Sequence, residues 1–227
     1  NYVYIYQQLG QYWGDQPMTS GPVYVGAFVL FLFLLGLFIV KGPMKWALLA
    51  ATILSVLLSW GRNFMPFTDF FLDYVPMYAK FRTVASILVI AEFTIPLLAM
   101  LALKKIIDEP EYIKSNKKYL FICFALTAGV CLLFDVFPGM FDYISAQERQ
   151  AFAGASADQL APLFANLTEM REAVFTADCR RSMFVICAGC VLMFLFLRGK
   201  LQARYFVGLV LVLCLFDLWI VNKRYLN

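Results

Sequence analysis

The chain has 227 residues, of which 62% are hydrophobic, 17% aromatic and only 15% charged, with a formal net charge of +4. A soluble domain carries about 25% charged residues, so most of these apolar side chains must face lipid or one another within it. A disordered tail, a collagen-like repeat and a secreted disulfide scaffold are excluded together. Of the six cysteines, Cys123, Cys131, Cys187, Cys190 and Cys214 lie inside apolar runs, and only Cys179 is expected in water. There is no histidine, which removes Ser-His and Cys-His nucleophile pairs and the usual zinc sites.

Residues 1–22 are aromatic and polar and lead into the first apolar run. Six such runs follow, at 23–40, 46–60, 83–103, 119–134, 183–197 and 205–221. The first, third and sixth approach the roughly 20 residues that cross about 30 Å of hydrocarbon. The others are shorter, and Lys45, Arg62, Arg181 and Arg198 at the ends of the second and fifth extend their reach by snorkelling. The fold expected is all-α: one polytopic transmembrane helix bundle of about six spans over 1–227. A chain beginning at Asn1 reads as a piece of a longer polypeptide.

Lys and Arg set the expected orientation. Ten of the 19 fall in the short segments 41–45, 104–118 and 198–204, and the positive-inside rule makes those segments cytoplasmic. Both ends of the chain are then extracytoplasmic, as are the connection at 61–82 and a long loop at 135–182. In that loop Ser145 with Glu148 and Ser156 with Gln159 have capping-box spacing. Leu160, Leu163, Phe164, Leu167, Met170 and Val174 recur at helical intervals, which predicts a short helix followed by an amphipathic helix on the outer leaflet.

Candidate residues gather near the outer face. Glu92 is tenth in the third run, near the bilayer centre and four residues before Pro96; it is either a functional midplane acid or a hydrogen-bonded packing residue. Asp217 lies near the outer end of the sixth run. It is expected to lock helices by pairing with Lys223 or Arg224, or to project into an outer cleft. In 61–82 the cations Arg62, Lys80 and Arg82 are interleaved with Phe64, Phe67, Phe70, Phe71, Tyr74, Tyr78 and Phe81. Fixed cations beside aromatic faces suit a lipid phosphate with a prenyl chain or sugar, and equally describe an ordinary interfacial belt. Asp69 and Asp73 are one helical turn apart and are possible ligands for a divalent ion, while Thr68-Asp69 also reads as a helix N-cap. No metal site and no cofactor is predicted, and no nucleic-acid motif is present. Cys187 and Cys190 have redox spacing but sit in an apolar span with no cation to activate a thiol, so they read as packing.

The motifs at 12–24 (YWGDQPMTSGPVY), 60–63 (WGRN), 75–82 (VPMYAKFR), 216–219 (FDLW) and 222–225 (NKRY) resemble those of bacterial YfhO-type membrane proteins, with looser likeness at 171–175 (REAVF) and 178–181 (DCRR). That family is similar to multi-span glycosyltransferases of the GT-C fold. The resemblance implies a bacterial inner-membrane protein that uses a polyprenyl-phosphate-linked sugar as donor and a cell-envelope glycan as acceptor on the outer face. It also implies a catalytic acid in an earlier extracytoplasmic loop, outside this chain. Arg62, Lys80 and Arg82 are then the expected contacts to the donor phosphate. The alternatives are a transporter or lipid flippase with Glu92 as its midplane site, and a non-catalytic envelope-assembly scaffold.

Overall fold

A computed structural model describes residues 23–76, 84–151 and 157–223. Among them the regular structure is entirely helical. The helices are α1 (Ala27–Ile39), α2 (Met44–Ser59), α3 (Met65–Tyr74), α4 (Val89–Asp108), α5 (Pro110–Ser115), α6 (Lys117–Val136), α7 (Ala146–Ala151), α8 (Ala157–Leu197) and α9 (Ala203–Lys223). α6 is interrupted by a π-helical turn at Ala125–Gly129, and a 3₁₀ turn at Val84–Leu88 leads into α4.

The six expected apolar runs all become helices. Four helical stretches are long and apolar enough to cross a membrane: Ser86–Asp108, Lys117–Val136, Ala161–Leu197 and Ala203–Lys223. The protein is therefore a helical membrane protein. α1 and α2, at 13 and 16 residues, fall short of the roughly 20 that span the hydrocarbon alone.

α1 is the centre of the bundle. It packs against α4, α6, α8 and α9, and eight of its 13 residues are buried. Its uniform hydrophobicity fits that position, since most of its surface packs on other helices and the exposed Leu30 and Phe38 are apolar as well. Two glycines permit the close crossings. A Cβ on Gly189 of α8 would stand 2.2 Å from the Phe28 ring, and one on Gly36 of α1 would stand 3.0 Å from Leu98 Cγ of α4. Small residues at such crossings let helix backbones approach where the hydrophobic effect no longer drives association. α2 lies outside α4. The two are joined by a buried hydroxyl pair, Thr52 with Thr94 at 2.7 Å; because Thr52 already donates to the Leu48 carbonyl at 2.8 Å, Thr94 is the donor.

The spans alternate in direction, which gives the bundle two distinct ends. At one end Lys41 and Lys105 both lie over the Tyr112 ring, and Lys45 donates to the Leu37 carbonyl. This basic end also carries Lys114, Lys117, Lys118, Arg198, Lys200 and Arg204. At the opposite end the start of α1, the middle of α8 and the end of α9 meet.

The long loop differs from expectation in one respect. The short helix forms as α7, and its capping box is complete: Ser145 N–H donates to Glu148 Oε2 at 2.9 Å, and Glu148 N–H to Ser145 Oγ at 3.2 Å. The amphipathic stretch does not form a separate helix lying on the leaflet. It runs without a break into the fifth span as α8, 41 residues or about 62 Å long, twice the hydrocarbon thickness. Pro162 sits near its start, and nothing between Leu163 and Leu197 stops a helix, Gly189 being held in packing. The second expected capping box lies outside the described residues at Ser156.

Candidate functional site

The opposite end of the bundle holds three groups of residues that the sequence singled out or that the fold assembles.

The first is α3. After α2 ends, a 3₁₀ turn at Gly61–Phe64 redirects the chain, and Gly61 takes the positive φ of 49° that this change of direction requires. Thr68 does not cap the helix. It lies within α3, buried, and its hydroxyl donates to the Gly61 carbonyl at 2.6 Å, tying α3 to its own lead-in turn. The helix instead starts at Met65 with Pro66 in its first turn. Rings then step along α3 at helical spacing: Trp60 to Phe64 at 6.1 Å, Phe64 to Phe67 at 5.7 Å, Phe67 to Phe71 at 5.0 Å, and Phe70 to Tyr74 at 5.2 Å. Trp60, Phe64, Phe70 and Tyr74 are exposed, so this ladder is an apolar surface rather than core. Asp69 and Asp73 are exposed on the same helix, and among the described residues no group of three acidic, Cys or His side chains converges on a metal site. Arg62 falls in the 3₁₀ turn at the foot of the ladder, with its side chain outside the described atoms. Lys80 and Arg82 lie outside the described residues, in the connection from α3 to α4.

The second group is a buried polar knot around Asp217, which is 1% exposed and not wetted. Among the described residues its partners do not include Lys223, and Arg224 lies outside the described residues. Asp217 Oδ2 accepts from the Tyr24 hydroxyl at 2.8 Å and from the Ala27 N–H at 2.9 Å, and Oδ1 faces Arg181 Nε at 3.6 Å. Arg181 also lies 3.5 Å from Asp178 and stacks on the Tyr24 ring at 5.3 Å. Gly26, at φ 98°, turns the chain so that Ala27 N–H points at the carboxylate. Asp217 therefore acts as an N-cap supplied from another helix, satisfying an orphan donor of α1 and compensating its dipole. So enclosed, it joins helices and faces no open cleft. Sequence reading missed Tyr24 and Arg181 because they lie 193 and 36 positions from Asp217; the available signal was Asp178 and Arg181, an acid and a base one turn apart at a span boundary.

The third group fixes the extension of α8. Arg171, 1% exposed, donates to both oxygens of Glu148, at 2.6 and 2.9 Å, and to the Tyr143 carbonyl at 2.6 Å. One turn further along α8, Phe175 packs among Phe134, Phe141 and Tyr143, with ring centroids 5.2–6.2 Å away. The charge-assisted contacts to Arg171 hold the Glu148 carboxyl below the usual carboxylate range. Nearby, Arg180 pairs with Asp135 at 2.8 Å across the mouth of the loop. Cys179, expected in water, is buried beneath this layer.

Glu92 belongs to none of these groups. It is exposed, lies in the first turn of α4 within the apolar stretch Ser86–Asp108, and points away from the buried Thr94 and Leu98 face. It therefore lines no path enclosed by the described helices.

The chain matches no protein-family model, no curated protein and no solved structure.

Proposed function

We propose that the chain is the membrane portion of a GT-C-like glycosyltransferase of the bacterial inner membrane, which takes a polyprenyl-phosphate-linked sugar on the outer face and serves a cell-envelope acceptor. The reading rests on the sequence resemblance stated above. The observation that supports it is the exposed ring ladder from Trp60 to Tyr74, with Arg62 at its foot and Lys80 and Arg82 in the connection that follows. Such a helix offers a sequence of apolar faces to an isoprenoid chain, while fixed cations neutralise the phosphate that becomes the leaving group. In this reading the basic end is cytoplasmic, and the ladder, the Asp217 knot and the α8 extension are outside. The acid that deprotonates the acceptor hydroxyl is supplied by a part of the protein beyond this chain.

The test is sugar transfer in membrane vesicles containing the full native product. Arg62→Ala and Arg82→Ala are expected to abolish transfer while membrane insertion stays normal; unchanged transfer overturns the proposal.

A second reading, an assembly scaffold, is favoured by the α8 extension. A helix carried well beyond the bilayer and fixed by Arg171 is a rigid arm on which a partner can dock. Retained transfer in both arginine variants, together with loss of envelope assembly when the 138–175 layer is disrupted, would favour it.

A further inference from the structure

A groove of about 650 Å³ opens at the basic end, between the first half of α6 and the last turns of α8, with Phe31 of α1 at its floor. Its walls are apolar and include Leu120, Phe124, Cys187 and Phe194. Its mouth is cationic: Lys114 at the end of α5, Lys117 at the start of α6, and Arg198 just past α8. Lys114 has an exposed partner in Glu111 at 2.6 Å. Lys117 and Arg198 are exposed and have no carboxylate partner among the described residues, and Arg198 is held at the rim by stacking over Phe194 at 4.2 Å.

Depth and charge together select the occupant. From Arg198 back to Cys187 the helix descends about 16 Å, roughly half of the 30 Å hydrocarbon layer, so the groove has the depth of one leaflet. An apolar partner helix would cover the walls and leave the cations without counter-charge. A free phosphate would meet the cations and leave the walls empty. An anionic phospholipid satisfies both, its phosphate at the mouth and an acyl chain along the wall.

We infer that this groove binds an anionic phospholipid, with Lys114, Lys117 and Arg198 at its phosphate and one acyl chain against Phe31, Phe124 and Phe194. The site is independent of the proposed glycosyl transfer and lies at the other end of the bundle.

The test uses the full chain in detergent, offered phosphatidylglycerol or phosphatidylcholine with identical acyl chains, with bound lipid counted by native mass spectrometry. Phosphatidylglycerol is expected to be retained roughly tenfold better, as a few surface cations would produce. Lys117→Gln with Arg198→Gln should bring the ratio close to one. Lys104→Gln with Lys200→Gln removes the same charge from the same end outside the groove and should leave the ratio unchanged. Val191→Trp, which fills the groove without altering charge, should lower phosphatidylglycerol retention. All five side chains are exposed, so the variants keep the buried core intact. Equal retention of the two lipids by the unmodified chain overturns the assignment. So does an undiminished ratio in the Lys117 and Arg198 double variant, or an equal loss in the control pair.

Discussion

Asp217 and Ala27 are 190 residues apart, yet the carboxylate of the first accepts the backbone N–H of the second at 2.9 Å and so caps the central helix of the bundle. The same carboxylate faces Arg181, so one side chain ties together α1, α8 and α9. Asp217→Ala removes the cap and leaves Arg181 with Asp178 as its remaining counter-charge, a loss of about 3 kcal/mol. Asp217→Asn keeps an acceptor for Ala27 and Tyr24 and should cost about half as much. Thermal unfolding of the full chain in one detergent measures both, and equal midpoints for the two variants would refute the capping role.

The crossing of α1 and α8 is set by Gly189 against Phe28. Gly189→Ala places a methyl group where the ring now lies and should destabilise by about 1–3 kcal/mol. Pairing it with Phe28→Leu should recover part of that loss, because the two positions share one volume. Additive losses in the double-mutant cycle would show that the contact does not govern the crossing.

The Glu148–Arg171 pair makes the α8 extension sensitive to acid. Arg171 depresses the Glu148 carboxyl in the folded state, so the contribution is complete above the ordinary carboxylate value near 4.3 and is lost as pH falls below it. Hydrogen-exchange protection factors over 138–151, corrected for the intrinsic pH dependence of exchange, should therefore fall between about pH 5 and about pH 3 more than those over α1. Glu148→Gln should show low protection at both values, and a variant with unaltered protection would contradict the role given to the pair.

The apolar helices were legible because long uncharged apolar runs can satisfy their backbone in lipid only as helices, and the Ser145–Glu148 cap because both halves lie within four residues. What could not be read was whatever depends on long-range placement. The 160–174 periodicity is the same whether the helix lies on the leaflet or stands out of it, and only the absence of a stop signal before Met183 distinguishes the two. Asp217 was recognisable as a helix-locking acid, but its partners come from the first and fifth spans, so the nearby Lys223 and Arg224 drew the expectation instead. For Arg62, Lys80 and Arg82, charge and aromatic neighbours singled out the segment, and α3 supplies its ring ladder.

Glu92 has no polar partner among the described residues and faces outward from α4. Glu92→Gln is therefore expected to leave stability and sugar transfer within the error of measurement, since no ion pair is lost and an exposed carboxylate beside lipid is removed. Loss of a proton-coupled uptake on this substitution, assayed in sealed vesicles, would instead support a transporter.

The ring ladder of α3 is where an isoprenoid chain should lie, and photo-crosslinking measures that contact. A polyprenyl phosphate with a photoreactive group in its chain, added to vesicles containing the full product, is expected to label peptides covering Phe64, Phe67, Phe70 and Phe71, and to lose that label when Arg62 and Arg82 are replaced by Ala. Labelling of this segment that is no greater than with a neutral prenol, or that persists in the arginine variants, would contradict a lipid-phosphate site at this end of the bundle.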